Sequence, residues 1–85
     1  MSKPVATGAQ IVAARALLDW TQDELAEAAK VHPNTVAYWE RCGRIHTGPG
    51  APVAFTRMRQ ELLAAGVEIT TEPERGVRLV EARGK

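Results

Sequence analysis

The sequence predicts a mainly α-helical domain of four helices followed by a C-terminal β-hairpin. Three observations favour this fold class: apolar residues recur at helical spacing up to residue 65, capping residues precede the helical segments, and the period changes to alternation after Gly66. With 85 residues, the chain is long enough for one domain with a modest core. Folding as a dimer would help so small a unit.

The first predicted helix covers about residues 8–18. Thr7 lies three residues before Gln10, which is the spacing of a capping box at a helix start. The helical period places four apolar residues on one face of this helix. This predicted inward face consists of Ile11, Ala14, Leu17 and Leu18.

Two further short helices, at about 22–29 and 33–41, are predicted on either side of a tight turn. Thr21 and Glu24 have the spacing of a second capping box, and Pro33 suits the first position of a helix. Small residues at the contact allow two helices to cross at a steep angle. The predicted buried positions are Leu25, Ala26, Ala29, Val36 and Trp39.

Glycine and proline divide the rest of the chain. The segment 42–51 is rich in both and is predicted to be a loop. Pro52 starts a fourth helix and Gly66 ends it. Its predicted inward face consists of Phe55, Met58, Leu62 and Leu63.

A β-hairpin is predicted after Gly66. Apolar residues alternate with polar ones over 67–70, and the alternation resumes at 77–79 with Val77 and Leu79 on one face and Arg78 on the other, continuing with Val80 and Glu81 on the predicted strand. The Pro- and Gly-containing segment 72–76 turns the chain. A two-stranded hairpin alone is marginal in water, so its apolar face must be covered or its edge paired.

Residues 21–41 resemble the helix-turn-helix of the XRE family of transcriptional regulators, which are similar to lambda repressor and Cro. The resemblance covers roughly residues 8–65 and implies a lambda-repressor-like fold of four to five helices. One departure is Lys30, which replaces the usual glycine of the turn; a positive φ there would cost on the order of 1 kcal/mol. The residues that carry the resemblance are Thr21-Gln22, Glu24-Leu25-Ala26, Val31, Asn34-Thr35-Val36 and Trp39-Glu40, with Ile11, Arg15, Leu18 and Trp20 upstream.

The resemblance implies that the helix at 33–41 enters the DNA major groove. It assigns Arg15 and Glu40 to an ion pair that fixes this helix. The base-facing positions are Pro33, Asn34, Ala37 and Tyr38. Contacts to the DNA backbone are expected from Gln22, Lys30, Thr35, Arg41 and Arg44.

The net charge of +1 does not by itself indicate nucleic-acid binding, but the distribution of charge along the chain agrees with this assignment. Residues 30–59 carry five basic and one acidic side chain, whereas acidic residues outnumber basic ones on both sides of this block. The basic block includes the proposed recognition helix and the loop after it, where DNA phosphates would lie.

Other chemistries find little support in the sequence. Cys42 is the single cysteine, which excludes an internal disulfide and fits a reducing cytoplasm. Cys42, His46 and His32 lack the spacing of a tetrahedral metal site, so neither a metal nor a cofactor is expected. No phosphate-binding loop or nucleophile–base pair is present, which favours a non-enzymatic protein. Neither a membrane span nor a signal peptide is predicted.

The sequence therefore predicts a sequence-specific DNA-binding regulator, a repressor that binds a pseudo-palindromic operator as a homodimer. Residues 1–66 are assigned to the DNA-binding domain and 67–85 to a dimerisation extension. In that extension a dimer would either pack apolar side chains across the two-fold axis or pair the hairpin edges; alternatively, the hairpin folds back on its own fourth helix. The side chains assigned to the interface are Val67, Ile69, Val77 and Leu79.

Two other functions fit parts of the same sequence. The first is an antitoxin or anti-activator whose main partner is a second regulatory protein and whose DNA binding is autoregulatory. The second is a protein-binding module that has lost DNA contact, against which the polar residues Asn34, Thr35 and Arg41 argue.

Overall fold

A computed structural model describes residues 5–71 and 75–80 of the chain. Four helices account for most of the described residues, and two pairs of short antiparallel strands complete the fold. The elements in chain order are β1 (Val5–Ala6), α1 (Gly8–Leu18), α2 (Gln22–Ala29), α3 (Pro33–Glu40), β2 (Ile45–His46), α4 (Val53–Ala65), β3 (Val67–Thr70) and β4 (Gly76–Leu79).

Local capping sets the start and the end of α2. The Glu24 N–H donates to Thr21 Oγ1 at 3.1 Å, and the Thr21 N–H donates to Glu24 Oε1 at 2.8 Å. This capping box satisfies two of the amide groups that every helix start leaves unpaired. At the other end Lys30 adopts the left-handed conformation with φ of 59°, so the turn keeps its usual shape without a glycine.

A single core lies between the helices and β3. Ile11 and Ala14 of α1 belong to the same buried cluster as Leu25 of α2 and Val36 of α3. Burial of these apolar side chains is the main stabilising contribution to the fold. The remaining core residues are Ala6, Ala26, Ala29, Ile45, Phe55, Met58, Leu62, Val67 and Ile69.

The β1–β2 pair is an element that the sequence did not predict. Ala6 pairs with Ile45 and Val5 with His46, and Ala6 and Ile45 are fully enclosed by the core. The prediction of a loop throughout 42–51 was therefore wrong at β2. Strands of two residues are too short to show alternation, so periodicity could not reveal them.

The β3–β4 pair packs on α1 and α4 of its own chain. Val67 and Ile69 are 0% and 1% exposed, so their side chains offer no surface to a partner, and their assignment to a dimer interface is corrected. Two helices of the same chain already cover this face of β3. The predicted turn residues 72–74 and the predicted strand residue Glu81 lie outside the described residues.

The side of α1 that faces the hairpin differs from its prediction. Leu17 is 46% exposed, whereas Gln10, which was not assigned to the core, is buried. The Gln10 amide nitrogen donates to the carbonyls of Thr70 and Gly76 at 2.6 and 2.7 Å, and its oxygen accepts the Thr7 N–H at 2.8 Å. The Gln10 side chain thus holds α1 against both strands. Its burial is tolerated because its buried polar atoms are hydrogen-bonded.

Candidate nucleic-acid interface

The exposed face of α3 carries three polar side chains in a row. Asn34, Tyr38 and Arg41 are exposed and follow one another at helical spacing of four and three residues. Pro33 and Ala37 are half-buried beside them, while Val36 on the opposite face is completely buried. The structure therefore places the four side chains predicted to face bases along the accessible part of one helix.

A histidine caps the start of α3. His32 Nδ1 accepts the backbone N–H of Asn34 at 3.0 Å, so its Nε2 carries the proton in the neutral ring and remains exposed at the helix start. The sequence indicated His32 only as a candidate metal ligand. Its place directly before Pro33, the first residue of the helix, was the signal that could have identified it as the cap.

Three side chains from three helices meet at the end of α3. Arg15 of α1 donates from Nε and Nη2 to the two carboxylate oxygens of Glu40, at 2.5 and 3.1 Å. Arg15 and Glu40 are 17% and 6% exposed at their side chains. The two-pronged contact fixes both distance and orientation, so it holds α3 against α1.

Gln22 is the third member of this cluster. Its amide nitrogen donates to Glu40 Oε1 at 2.7 Å. A primary amide carries two hydrogens, so the second N–H of Gln22 remains available to another acceptor. The sequence assigned Gln22 to a phosphate, and the contact with Glu40 gives this side chain a defined orientation at the start of α2.

The basic block of the sequence separates into two regions. Lys30 at the end of α2, Arg41 at the end of α3 and Arg44 before β2 are exposed. Arg59 instead donates from Nη2 to the carbonyl of Ile69 at 3.1 Å, on the side of α4 that faces the hairpin. Thr35, the other residue assigned to the DNA backbone, is half-buried on α3.

The first residue of α1 lies directly against the end of α3. The Gly8 N–H donates to the Cys42 carbonyl at 2.7 Å, and a Cβ at Gly8 would come within 2.2 Å of the Glu40 carbonyl oxygen. No side chain can be accommodated there without movement of one helix. This close approach and the Arg15–Glu40 contact together determine where α3 lies.

The residues considered as metal ligands make other contacts. Cys42 Sγ lies 3.6 Å from the Tyr38 carbonyl, and His46 Nε2 lies 2.8 Å from the Pro49 carbonyl. Within residues 5–71 and 75–80, no cluster of three His, Cys, Asp or Glu side chains could hold a metal ion. None of the helices in these ranges combines the length and the apolar character that crossing a membrane requires.

Comparison with known proteins agrees with this geometry. Residues 11–44 match the model of the helix-turn-helix family HTH_3, whose members are DNA-binding regulatory domains. No curated protein and no solved structure matches the chain. The matched segment extends from α1 through α3 to Arg44, so it includes the Arg15–Glu40 pair and the exposed face of the third helix. Residues 11–44 of this chain therefore match a helix-turn-helix family, which supports the resemblance to the XRE regulators.

Proposed function

We propose that this protein is a repressor that binds a two-fold symmetric operator as two copies, with α3 of each copy in the major groove. A helix fits this groove, and the residues near its start meet the base edges. A single helix-turn-helix contacts only a few base pairs. Two copies about 34 Å apart on one face of the DNA supply the remaining affinity and selectivity.

Asn34 is the main base-reading residue of this proposal. Its amide can donate to N7 and accept from the N6 amino group of the same adenine, so that a bidentate contact reads the base and its orientation. Tyr38, one helical turn further along the same face, reaches a neighbouring base pair with its hydroxyl group. Pro33 and Ala37 offer apolar contact, which suits the methyl group of thymine.

The DNA backbone is held by side chains around α3. Gln22 donates its second N–H to a phosphate, together with the unpaired amides at the start of α2. Lys30, Arg41 and Arg44 neutralise phosphates, and Thr35 adds a hydrogen bond. These contacts supply most of the affinity, whereas the base contacts supply the specificity.

One observation carries this proposal: the outer face of α3 is polar and accessible while the cluster of Arg15, Gln22 and Glu40 holds the helix from behind. A helix that recognises bases needs both an accessible polar face and a fixed position. A helix that can shift by an ångström would lose directional contacts to base edges.

Selection of bound sequences from a random DNA pool tests the proposal. We expect a two-fold symmetric consensus. Asn34→Ala should then weaken binding to that sequence by about 1–3 kcal/mol and relax the preference at one base pair of each half-site. The matched variant Arg41→Ala lies on the same helix face and should weaken all sequences alike, with a salt slope smaller by about one.

Several results would contradict the proposal. Recovery of no enriched sequence from the pool would remove sequence-specific binding. Unchanged affinity of Asn34→Ala for the selected operator would remove its base-reading role. Equal salt slopes for Arg41→Ala and the parent would remove the phosphate contact of Arg41.

A further inference from the structure

The outer edge of β4 pairs with no other strand within residues 5–71 and 75–80, and the register of the β3–β4 pair shows which backbone groups this edge presents. The Val80 N–H donates to the Gly66 carbonyl at 2.8 Å, which makes these opposite residues a hydrogen-bonded pair. Such pairs alternate along antiparallel strands, so Arg78 directs its N–H and C=O to Glu68 on β3. The N–H and C=O groups of Val77 and Leu79 must then point away from β3.

The two edges of this small sheet differ in how they are protected. On β3, the outward carbonyl of Ile69 accepts the Arg59 guanidinium of α4 at 3.1 Å. Among the described residues, no backbone group donates to or accepts from the outward groups of Val77 and Leu79. Unprotected strand edges pair readily with other strands, and proteins usually cover them or place a charge or proline there.

The side chains at the free edge also lack the usual protection. Leu79 is 66% exposed and Val77 is half-buried, although both lie on the same face of the pair as the core residues opposite them. The only charge on the strand, Arg78, points to the other face and bonds Glu68 at 2.6 Å. Leu17, two turns from Gln10 on the hairpin-facing side of α1, adds exposed apolar surface.

We propose that β4 of one copy pairs antiparallel with β4 of a second copy, which gives a continuous four-stranded sheet. The pairing itself does not depend on the proposed function; only the role of the dimer, binding to a two-fold symmetric operator, rests on it. With Arg78 on the two-fold axis, Val77 lies opposite Leu79 of the partner subunit, and the reverse pair follows by symmetry. Both pairs are then hydrogen-bonded pairs, so four new backbone hydrogen bonds satisfy every outward group of these residues.

The same register is consistent for the side chains. On the inner face this register creates two rows of side chains that are related by the two-fold axis. One row contains, in order across the sheet, Ile69, Val77, Leu79 of the partner subunit and Val67 of the partner subunit. Every member of these rows is apolar, and the exposed part of Leu79 becomes covered. On the outer face each Arg78 keeps its own Glu68, so the row of four charged residues has no net charge.

A second copy fits this edge better than an unrelated strand does. Antiparallel pairing of a strand with itself is two-fold symmetric, so one surface serves both partners and neither β4 edge remains free for a third copy. The pairing also has the symmetry of a palindromic operator.

Leu79→Lys is the first test, with Val53→Lys as its matched control. Both residues are exposed, at 66% and 67%, so both variants should fold, but Val53 lies at the start of α4, away from the β4 edge. Sedimentation equilibrium of the parent should give twice the chain mass of 9.2 kDa. Leu79→Lys should raise the dimer dissociation constant on the order of 100-fold, and Val53→Lys should leave it unchanged.

Cysteine cross-linking tests the register in a Cys42→Ser background. Arg78→Cys puts two thiols opposite each other across the axis in a non-hydrogen-bonded pair, with Cα atoms about 4.5 Å apart, and should form a disulfide-linked dimer on mild oxidation. Glu68→Cys lies on the same face but three strand spacings from its counterpart, roughly 15 Å, and should not cross-link.

The outcomes separate this inference from the proposed function. Three results would each overturn the edge pairing. The first is a parent protein that is already monomeric at about 1 mM and at each further 100-fold dilution. The others are a Leu79→Lys variant that stays dimeric and a dimer that Arg78→Cys fails to link. None of these measurements uses DNA. A dimer that dissociates and cross-links as expected, but selects no DNA sequence, would support the inference and remove the proposed function.

Discussion

The chain contains a largely buried ion pair and an exposed one, and their comparison yields the sharpest stability prediction. Glu40→Ala removes both acceptors of Arg15 Nε and Nη2 and the acceptor of Gln22, and leaves a guanidinium that is 17% exposed without its carboxylate. Removal of one partner from a buried pair costs about 3–5 kcal/mol. Arg15 keeps the Trp20 carbonyl at 2.9 Å, so we expect a loss at the lower end, about 3 kcal/mol.

Glu68→Ala is the matched control because Glu68 and Arg78 are 37% and 67% exposed at their side chains. Solvent screens this pair, so its loss should cost less than about 1 kcal/mol. Urea denaturation followed by tryptophan fluorescence measures the free energy of unfolding of both variants, and the dependence of that free energy on urea concentration should be the same for the two.

A third variant isolates the cost of the unpaired charge. Arg15→Met in the Glu40→Ala background should recover part of the lost stability, since it removes the guanidinium that Glu40→Ala leaves without a partner. Losses for Glu40→Ala and Glu68→Ala that agree within about 0.5 kcal/mol would refute the claim that burial makes the first pair structurally important.

Three further changes test the packing. Gly8→Ala should destabilise the fold by about 2–4 kcal/mol because its Cβ would lie 2.2 Å from the Glu40 carbonyl oxygen. Gly43→Ala, whose added Cβ would have nothing within 4 Å, should be nearly neutral. Thermal unfolding compares the two variants. Lys30→Gly should stabilise by about 0.5–1 kcal/mol because φ is 59°, and a loss of stability in urea would show that the strain is already relieved. Trp39→Ala should cost about 3 kcal/mol, since the indole packs against the core; a stable variant that lost only DNA binding would place Trp39 at the interface.

Features set by neighbouring residues could be predicted from the sequence. The bounds of α2 follow from the Thr21–Glu24 box and from the left-handed residue at its end, all within ten residues. The polar outer face of α3 follows from the spacing of Asn34 and Tyr38 around buried Val36. Local chemistry and the helical period determine these features, so distant contacts did not alter them.

Features that depend on distant contacts could not be predicted in this way. Alternation indicated that Val67 and Ile69 share an apolar face, but not whether a second copy or the chain's own helices cover it. Gln10 was predicted only as a capping residue, because its partners Thr70 and Gly76 lie 60 and 66 residues away. Gln22 was assigned to a phosphate, and its bond to Glu40 depends on how α2 crosses α3.

The bonds from Gln10 to Thr70 and Gly76 have a consequence for how the chain folds during synthesis. They join the first turn of α1 to strands that leave the ribosome after all four helices, and β3 supplies Val67 and Ile69 to the core. A nascent chain that ends near residue 66 therefore has the complete helix-turn-helix sequence but an open core. Contacts over such sequence separations form late and slow the folding of small domains. We therefore expect α3 to become fixed in place only after the residues of β3 and β4 have left the ribosome.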